Sequence, residues 1–187
     1  FRVLSPSDHV TAGVLFDRCV STKGPKYLRL DAQVLPVLYD TSAPDLDIGF
    51  HIHRRGENIC LVATGYMMHT ALKVAESLAA AEYSVGVIDL FDISNFDAEQ
   101  LQSVLSPYVG IVTLEEGFRG RGGVDAMLFE FIARRGLTAR MLNVGVEGAY
   151  RFELGSREEL HEQVGIGPEF VLNSVTTFIQ SFPNLLK

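Results

Sequence analysis

At 187 residues, 47% hydrophobic and 21% charged, the chain has the composition of a soluble globular α/β protein. Its length allows one good core, or one domain plus a piece of another. The formal charge of −7 gives no electrostatic reason to expect nucleic acid or an anionic membrane as partner. No apolar run approaches a membrane span and no signal peptide is visible, so the expected location is cytoplasmic.

Phe1–Leu4 reads as a short strand, and Ser5-Pro6-Ser7-Asp8 as a turn with an N-cap. Ala12, Leu15, Phe16 and Cys19 then share one helical face, and Lys23-Gly24-Pro25 turns the chain into a strand over Lys26–Leu30. One helix and two strands leave too much apolar surface uncovered to form a domain alone. The chain also opens on Phe1 within an apolar run, which suggests a section of a larger polypeptide.

Residues 31–56 show no sustained period and carry Pro36, Pro44, Asp40, Asp45 and Asp47, the make-up of a linker over a surface. His51 and His53 could be two metal ligands on one face of a strand. No carboxylate or cysteine stands at a ligand spacing from them, so no metal site is expected. Cys19 and Cys60 fall in apolar periodic segments and read as buried, inert thiols.

From Glu57 the pattern becomes regular. Ile59–Thr64 is a buried strand, and the helix after Gly65 sets Met68, Ala71, Leu72, Ala75, Leu78 and Ala79 on one face. Tyr83–Leu90 is the next strand, and Asp97 caps a helix holding Leu101, Val104 and Leu105. Val109–Leu114 is a third apolar run, followed by Glu115-Glu116 and the glycine-rich stretch Gly117–Gly123. Helical spacing resumes at Val124 and stops at Gly136. A strand over Thr138–Val144 follows, then a helix opened by the capping box Ser156-x-x-Glu159, then a last helix opened by Pro168. Strands alternating with helices at this spacing predict an α/β fold of three layers, a mainly parallel, mixed sheet with helices on both faces.

The sharpest local feature is strand, charged glycine loop, helix, because the carboxyl edge of an open sheet is where ligands and partners are met. Gly122 and Gly123, with Arg119 and Arg121, could cradle a phosphate at the helix start, although the loop lacks the third glycine of a dinucleotide fingerprint and the lysine of a triphosphate loop. Tight turning and close packing are the simpler roles for these glycines. Glu115 and Glu116 leave a strand in opposite directions, so they fit an interface or loop support better than a shared acid/base site. His69 and His161 sit among polar neighbours and read as solvated or capping histidines. On chemistry alone, no complete catalytic site can be assembled.

The segments Val62–Leu78, Val87–Asp97 and Val112–Gly117 with Gly122-Gly123 resemble successive signatures of the C-terminal domain of the transketolase superfamily, enzymes that use thiamine diphosphate. Gly145-Val, Phe152, Gly155, Glu159-Leu160 and Gly165-Ile166 are similar to that domain's closing segment. Val3–Asp8 and Gly24–Leu30 resemble the last strand–helix–strand of the family's pyrimidine-binding domain. The resemblance implies three parts: residues 1–38 from the pyrimidine-binding domain, a linker over 39–56, and a transketolase-like C-terminal domain over 57–187.

It also implies a division of labour. The parent would hold thiamine diphosphate and Mg through a Gly-Asp-Gly…Asn motif that is absent here, and the activating carboxylate would lie upstream. No catalytic, cofactor-binding or metal residue carries over, and the chain alone is expected to be inactive. Its partners would be the remaining pyrophosphate- and pyrimidine-binding domains, in the same chain or a separate subunit, within a homodimeric parent. Deoxyxylulose-phosphate synthases are similar too, but Asp31, Ala32 and Phe91 stand where that group's phosphate-holding arginines would be. Transketolase is therefore the first expectation. A 2-oxoacid dehydrogenase β subunit or a deoxyxylulose-phosphate synthase is the second, and a free-standing phosphate-binding module is the alternative of another class.

Overall fold

The computed structural model describes residues 1–39, 44–45 and 47–182. Asp40, counted above in the linker, lies outside them. The chain opens with β1 (Arg2–Leu4), α1 (His9–Ser21) and β2 (Lys26–Leu28), where the two strands pair in parallel. Asp8 caps α1 by accepting from the Thr11 N–H at 2.8 Å, as the turn sequence predicts.

The remainder forms one five-stranded sheet. β3 (His51–Arg54) is followed by β4 (Ile59–Ala63), α2 (Met67–Ala80), β5 (Val85–Asp89) and α3 (Ala98–Leu105). Then come β6 (Gly110–Phe118), α4 (Val124–Arg134), β7 (Arg140–Val146), α5 (Arg157–Gln163) and α6 (Pro168–Gln180). The strand order is β3-β5-β4-β6-β7, with all pairs parallel except β3 against β5. This is the mixed three-layer sheet expected from the pattern.

β4 and β5 are buried at every position, the condition that makes central parallel strands read as unbroken apolar runs. Alternate residues feed two cores. Ile59, Leu61, Val85 and Val87 face α2 and α6, while Cys60, Val62, Ile88 and Ile111 face α3 and α4. Cys60 is buried, Cys19 half-buried, and both are free thiols.

Two elements depart from the sequence reading. The stretch read as linker, 39–56, contains β3, an edge strand whose only apolar member between its histidines is Ile52. A four-residue strand of that composition shows no period to detect. The face expected of α1 buries Leu15 fully but leaves Phe16 57% exposed, because only one side of this helix has a sheet beneath it.

The N-terminal unit docks at the carboxyl end of β5. The Ser5 N–H donates to the Phe91 carbonyl at 2.8 Å and the Ile93 N–H to the Val3 carbonyl at 3.0 Å. Leu4, Leu15 and Phe91 form a small core there. The outer side of the unit is bare: Phe1, Phe16, Val20, Tyr27 and Leu30 are all exposed.

Candidate functional site

A polar cleft of about 530 Å³ lies between the N-terminal unit and the carboxyl ends of β4 and β6. Its walls bring together Arg29 and Asp31 after β2, Thr64 and Tyr66 between β4 and α2, Glu115 and Glu116 on β6, and Arg157 at the start of α5. Parallel strands deliver these residues to one edge, as open α/β sheets do.

The adjacent carboxylates turn apart, as strand geometry requires. Glu115 reaches toward the N-terminal unit, where Oε1 accepts from Arg29 Nη1 at 2.9 Å. Its Oε2 accepts from the Val124 N–H at 2.8 Å, so the same carboxylate caps the positive end of α4. Glu116 Oε1 lies 2.8 Å from His161 Nε2 and 3.5 Å from Arg157 Nε. Arg157 Nη2 pairs with Asp31 Oδ2 at 2.7 Å, and its guanidinium lies 4.3 Å from the Tyr66 ring centroid. Burial works against ionisation of Asp31, but the Gln33 N–H and the Arg157 guanidinium outweigh it and hold the carboxyl below its usual range. At this cleft the pairs Arg29–Glu115 and Asp31–Arg157 therefore join the N-terminal unit to β6 and α5, and Arg2 pairs with Asp92 at 3.5 Å outside it.

The glycine loop is braced by bonds to its own protein. Gly120 and Gly122 take positive φ of 70° and 86°, which lets the chain reverse before Gly123 starts α4. Asp125 Oδ2 accepts the Gly120 N–H, and Arg119 pairs with Glu147 at 2.9 Å. Arg121 stands apart from the cleft, lining an apolar groove with Phe118 and Tyr150. Two N–H donors of this stretch, those of Gly120 and Val124, are thus engaged by Asp125 and Glu115.

His69 and His161 differ from the sequence reading of solvated or capping histidines. Both are buried: His69 Nε2 lies 2.8 Å from the Ser7 carbonyl oxygen, and His161 meets Glu116. Their sequence neighbours give no sign of tertiary partners from other segments. Asp31 and Arg157 are also brought together without any local motif. In the sequence Asp31 stands out only as a departure from an arginine pattern, and Arg157 only as part of a helix start.

Removing Arg157 strips a partner from the half-buried Asp31 and a weaker one from the exposed Glu116. Arg157→Ala is expected to cost about 1–3 kcal/mol, the range for losing charge-assisted bonds. It should also speed limited proteolysis within residues 1–30 more than within α2 or α6. Equal acceleration everywhere would contradict a seam role for this arginine.

Among the described residues, no group of three or more His, Cys, Asp and Glu side chains is placed to hold a metal ion. His51 and His53 instead pack edge-on against each other and against Tyr39, with ring centroids 4.8–5.1 Å apart. No helix among the described residues is long and apolar enough to cross a membrane.

Residues 49–171 match the family described as transketolase, C-terminal domain. The chain is 25% identical over 173 residues to an apulose-4-phosphate transketolase subunit of Actinobacillus succinogenes, covering 92% of this chain and 55% of that protein. It is 29% identical over 180 residues to 1-deoxy-D-xylulose-5-phosphate synthase of Neisseria gonorrhoeae, covering 95% of this chain and 27% of that protein. Among solved structures, a split-gene transketolase described as an inactive beta4 tetramer superposes with a TM-score of 0.83 at 23% identity. That match covers 94% of this chain and 56% of the other. The chain thus spans about half of one curated relative and about a quarter of the other.

Proposed function

The chain belongs to the transketolase C-terminal domain family, and from that premise we propose that it is the rear section of a transketolase-like enzyme. The parent transfers a two-carbon ketol unit between sugar phosphates, with thiamine diphosphate and Mg supplied by domains beyond this section. Residues 1–38 are the end of a pyrimidine-binding domain, the stretch over 39–56 connects it and contributes the edge strand β3, and 57–187 form the rest of the C-terminal domain. This section does no chemistry itself; it supports the catalytic domains and helps to hold the parent dimer in the cytoplasm.

The observation that carries this reading is the half-covered N-terminal unit. A two-stranded sheet with one helix exposes Phe1, Phe16, Val20, Tyr27 and Leu30 on its outer side, and such a surface calls for further protein to cover it. The matching apulose-4-phosphate relative is named as one subunit of its transketolase, which supports a parent split between chains. Within this reading, Glu115 and Glu116 are interface residues of the seam. Arg119, Gly122 and Gly123 shape the loop that Glu115 braces, and Arg121 belongs to the neighbouring apolar groove.

The likeness to deoxyxylulose-phosphate synthases over most of the chain keeps that reaction as the second reading. Two features favour transketolase: Asp31 is committed to Arg157, and Phe91 is fully buried rather than facing the cleft.

The test is to purify the native polypeptide or complex that carries this chain, then measure its intact mass, thiamine content and products. Ketol transfer between sugar phosphates is the expected result. Condensation of pyruvate with an aldose phosphate would move the assignment to the synthase. Saturable thiamine diphosphate binding by the 187-residue chain alone would overturn the supporting role.

A further inference from the structure

Asp89, the last residue of β5, has no exposure at all, yet it takes no part in the cleft. Its Oδ2 accepts from Ser7 Oγ at 2.5 Å and from Tyr39 Oη at 2.8 Å. Ser7 belongs to the N-terminal unit and Tyr39 to the connecting segment, so one carboxyl gathers three separate parts of the chain. Asp8 ties the same segment by accepting the Leu38 and Tyr39 N–H groups at 2.8 and 3.0 Å. His69, in the first turn of α2, holds the Ser7 carbonyl from the other side.

Among the described residues, two buried polar atoms in this region have no partner: Asp89 Oδ1 and His53 Nε2. They share a neighbourhood for a topological reason. His51 lies directly opposite Asp89 in the antiparallel β3–β5 pair; His53 falls at the register irregularity between Ile52 and Arg54, and its ring packs 4.8 Å from that of His51. The ring of Tyr39 touches both histidines, with centroids 5.1 and 4.8 Å away, while its hydroxyl touches Asp89. A lone charge enclosed here would carry a heavy desolvation cost, and among the described residues no lysine or arginine forms an ion pair with Asp89. A carboxyl proton and a bare imidazole nitrogen are complementary through one bridging water.

We propose that Asp89 and His53 are buried as an uncharged acid–base couple, which clasps the connecting segment and the N-terminal unit onto the sheet without carrying net charge into the seam. The couple has a consequence that neither residue has alone. Opening the clasp returns both groups to water, where one releases a proton and the other binds one, so the two pH dependences oppose each other.

The titration directions agree with this arrangement. Burial pushes the Asp89 carboxyl up to about 7; the Ser7 and Tyr39 hydrogen bonds oppose the rise and the Asp8 charge adds to it. Burial pulls the His53 imidazole down to about 4, helped by the neighbouring His51 and His69 and opposed by the Asp8 charge. His51 is itself lowered by burial, and the Tyr39 hydroxyl is raised by burial and by Asp89. Asp8 stays ionised: burial opposes this, but the Thr11, Tyr39 and Leu38 N–H groups hold its carboxyl below the usual range. A carboxyl raised on folding stabilises the folded chain most at low pH, and that support is lost as pH climbs from its free value near 4 to about 7. A histidine lowered on folding does the reverse: its folded form is favoured above its free value near 6.5 and disfavoured as pH falls toward 4. Between about pH 4 and 6.5 the two cancel.

The test compares denaturant unfolding of the chain and two variants across that window. The unfolding constant of Asp89→Asn relative to wild type should fall by up to about tenfold per pH unit as pH rises. That of His53→Gln relative to wild type should climb by a similar factor. Ratios that are flat with pH, or that slope the same way, would overturn the couple. NMR titration of the unsubstituted chain decides independently of how the variants fold. The Asp89 carboxyl carbon should titrate near neutrality and the His53 ring should stay neutral well below pH 6. Ordinary values at either group would dismiss the proposal.

Discussion

Replacing Glu115 with alanine should lower the stability of the chain by about 2–4 kcal/mol, equivalent to roughly 4–16 °C in thermal midpoint for a domain of this size. Two losses combine. The first N–H of α4, at Val124, loses its acceptor at an enclosed helix end, where no water replaces it readily. Arg29 loses the carboxylate that ties the N-terminal unit to β6, although its own partial exposure moderates that share. Glu115→Gln separates the two contributions. The amide oxygen can still accept from Val124, while the ion pair is gone, so this variant should retain more than half of the lost stability. Denaturant unfolding of wild type and both variants measures the difference. A glutamine variant as unstable as the alanine variant would shift the weight from the helix cap to the ion pair.

The same residue shows what a sequence can reveal about a seam. Its place at the end of an apolar run, before a glycine loop, is enough to expect a loop-bracing or interface role and a direction opposite to Glu116. The partners are hidden, because Arg29 stands in another unit and only the fold sets it beside β6. Regular elements are legible wherever burial on both faces leaves an unbroken apolar run, as in β4 and β5, or where a cap marks a helix start, as at Asp97 and Ser156. β3 is not, because an edge strand of four residues with two histidines has neither signal. Asp89 is easily passed over as the polar end of an apolar strand. A carboxylate closing a run such as Val-Gly-Val-Ile is itself a signal, since it must find donors from elsewhere once the strand is buried. The residues that sequence reasoning misses share one cause: their partners come from segments brought together by topology.

Topology also creates the position where a single added methyl should do the greatest harm. β3 and β4 flank β5 on opposite sides, so the chain joining them must cross the amino end of β5. Residues 55–58 make that crossing, anchored by the Glu57 N–H to the Ser84 carbonyl at 2.9 Å. At Gly56 the backbones almost touch: a Cβ there would lie 2.1 Å from both the Val85 carbonyl carbon and the Gly86 nitrogen. These are backbone atoms of a central strand, which cannot swing aside as a side chain would. Gly56→Ala must therefore lift the crossing away from the sheet, and is expected to cost about 3 kcal/mol or more, at or beyond the upper end of overpacking penalties. β3 is the element that would peel away, since it is an edge strand held on one side only by β5. Its loss would withdraw His51 and His53 from Tyr39 and loosen the segment that carries the N-terminal unit. Hydrogen exchange on Gly56→Ala should show protection falling most at Ile52 and Arg54 and in the stretch around Leu38–Tyr39. Protection in β4 and β6 should fall less. Unchanged protection in β3 would mean that the crossing relaxes without disturbing the strand, and would remove the proposed link between this glycine and the seam.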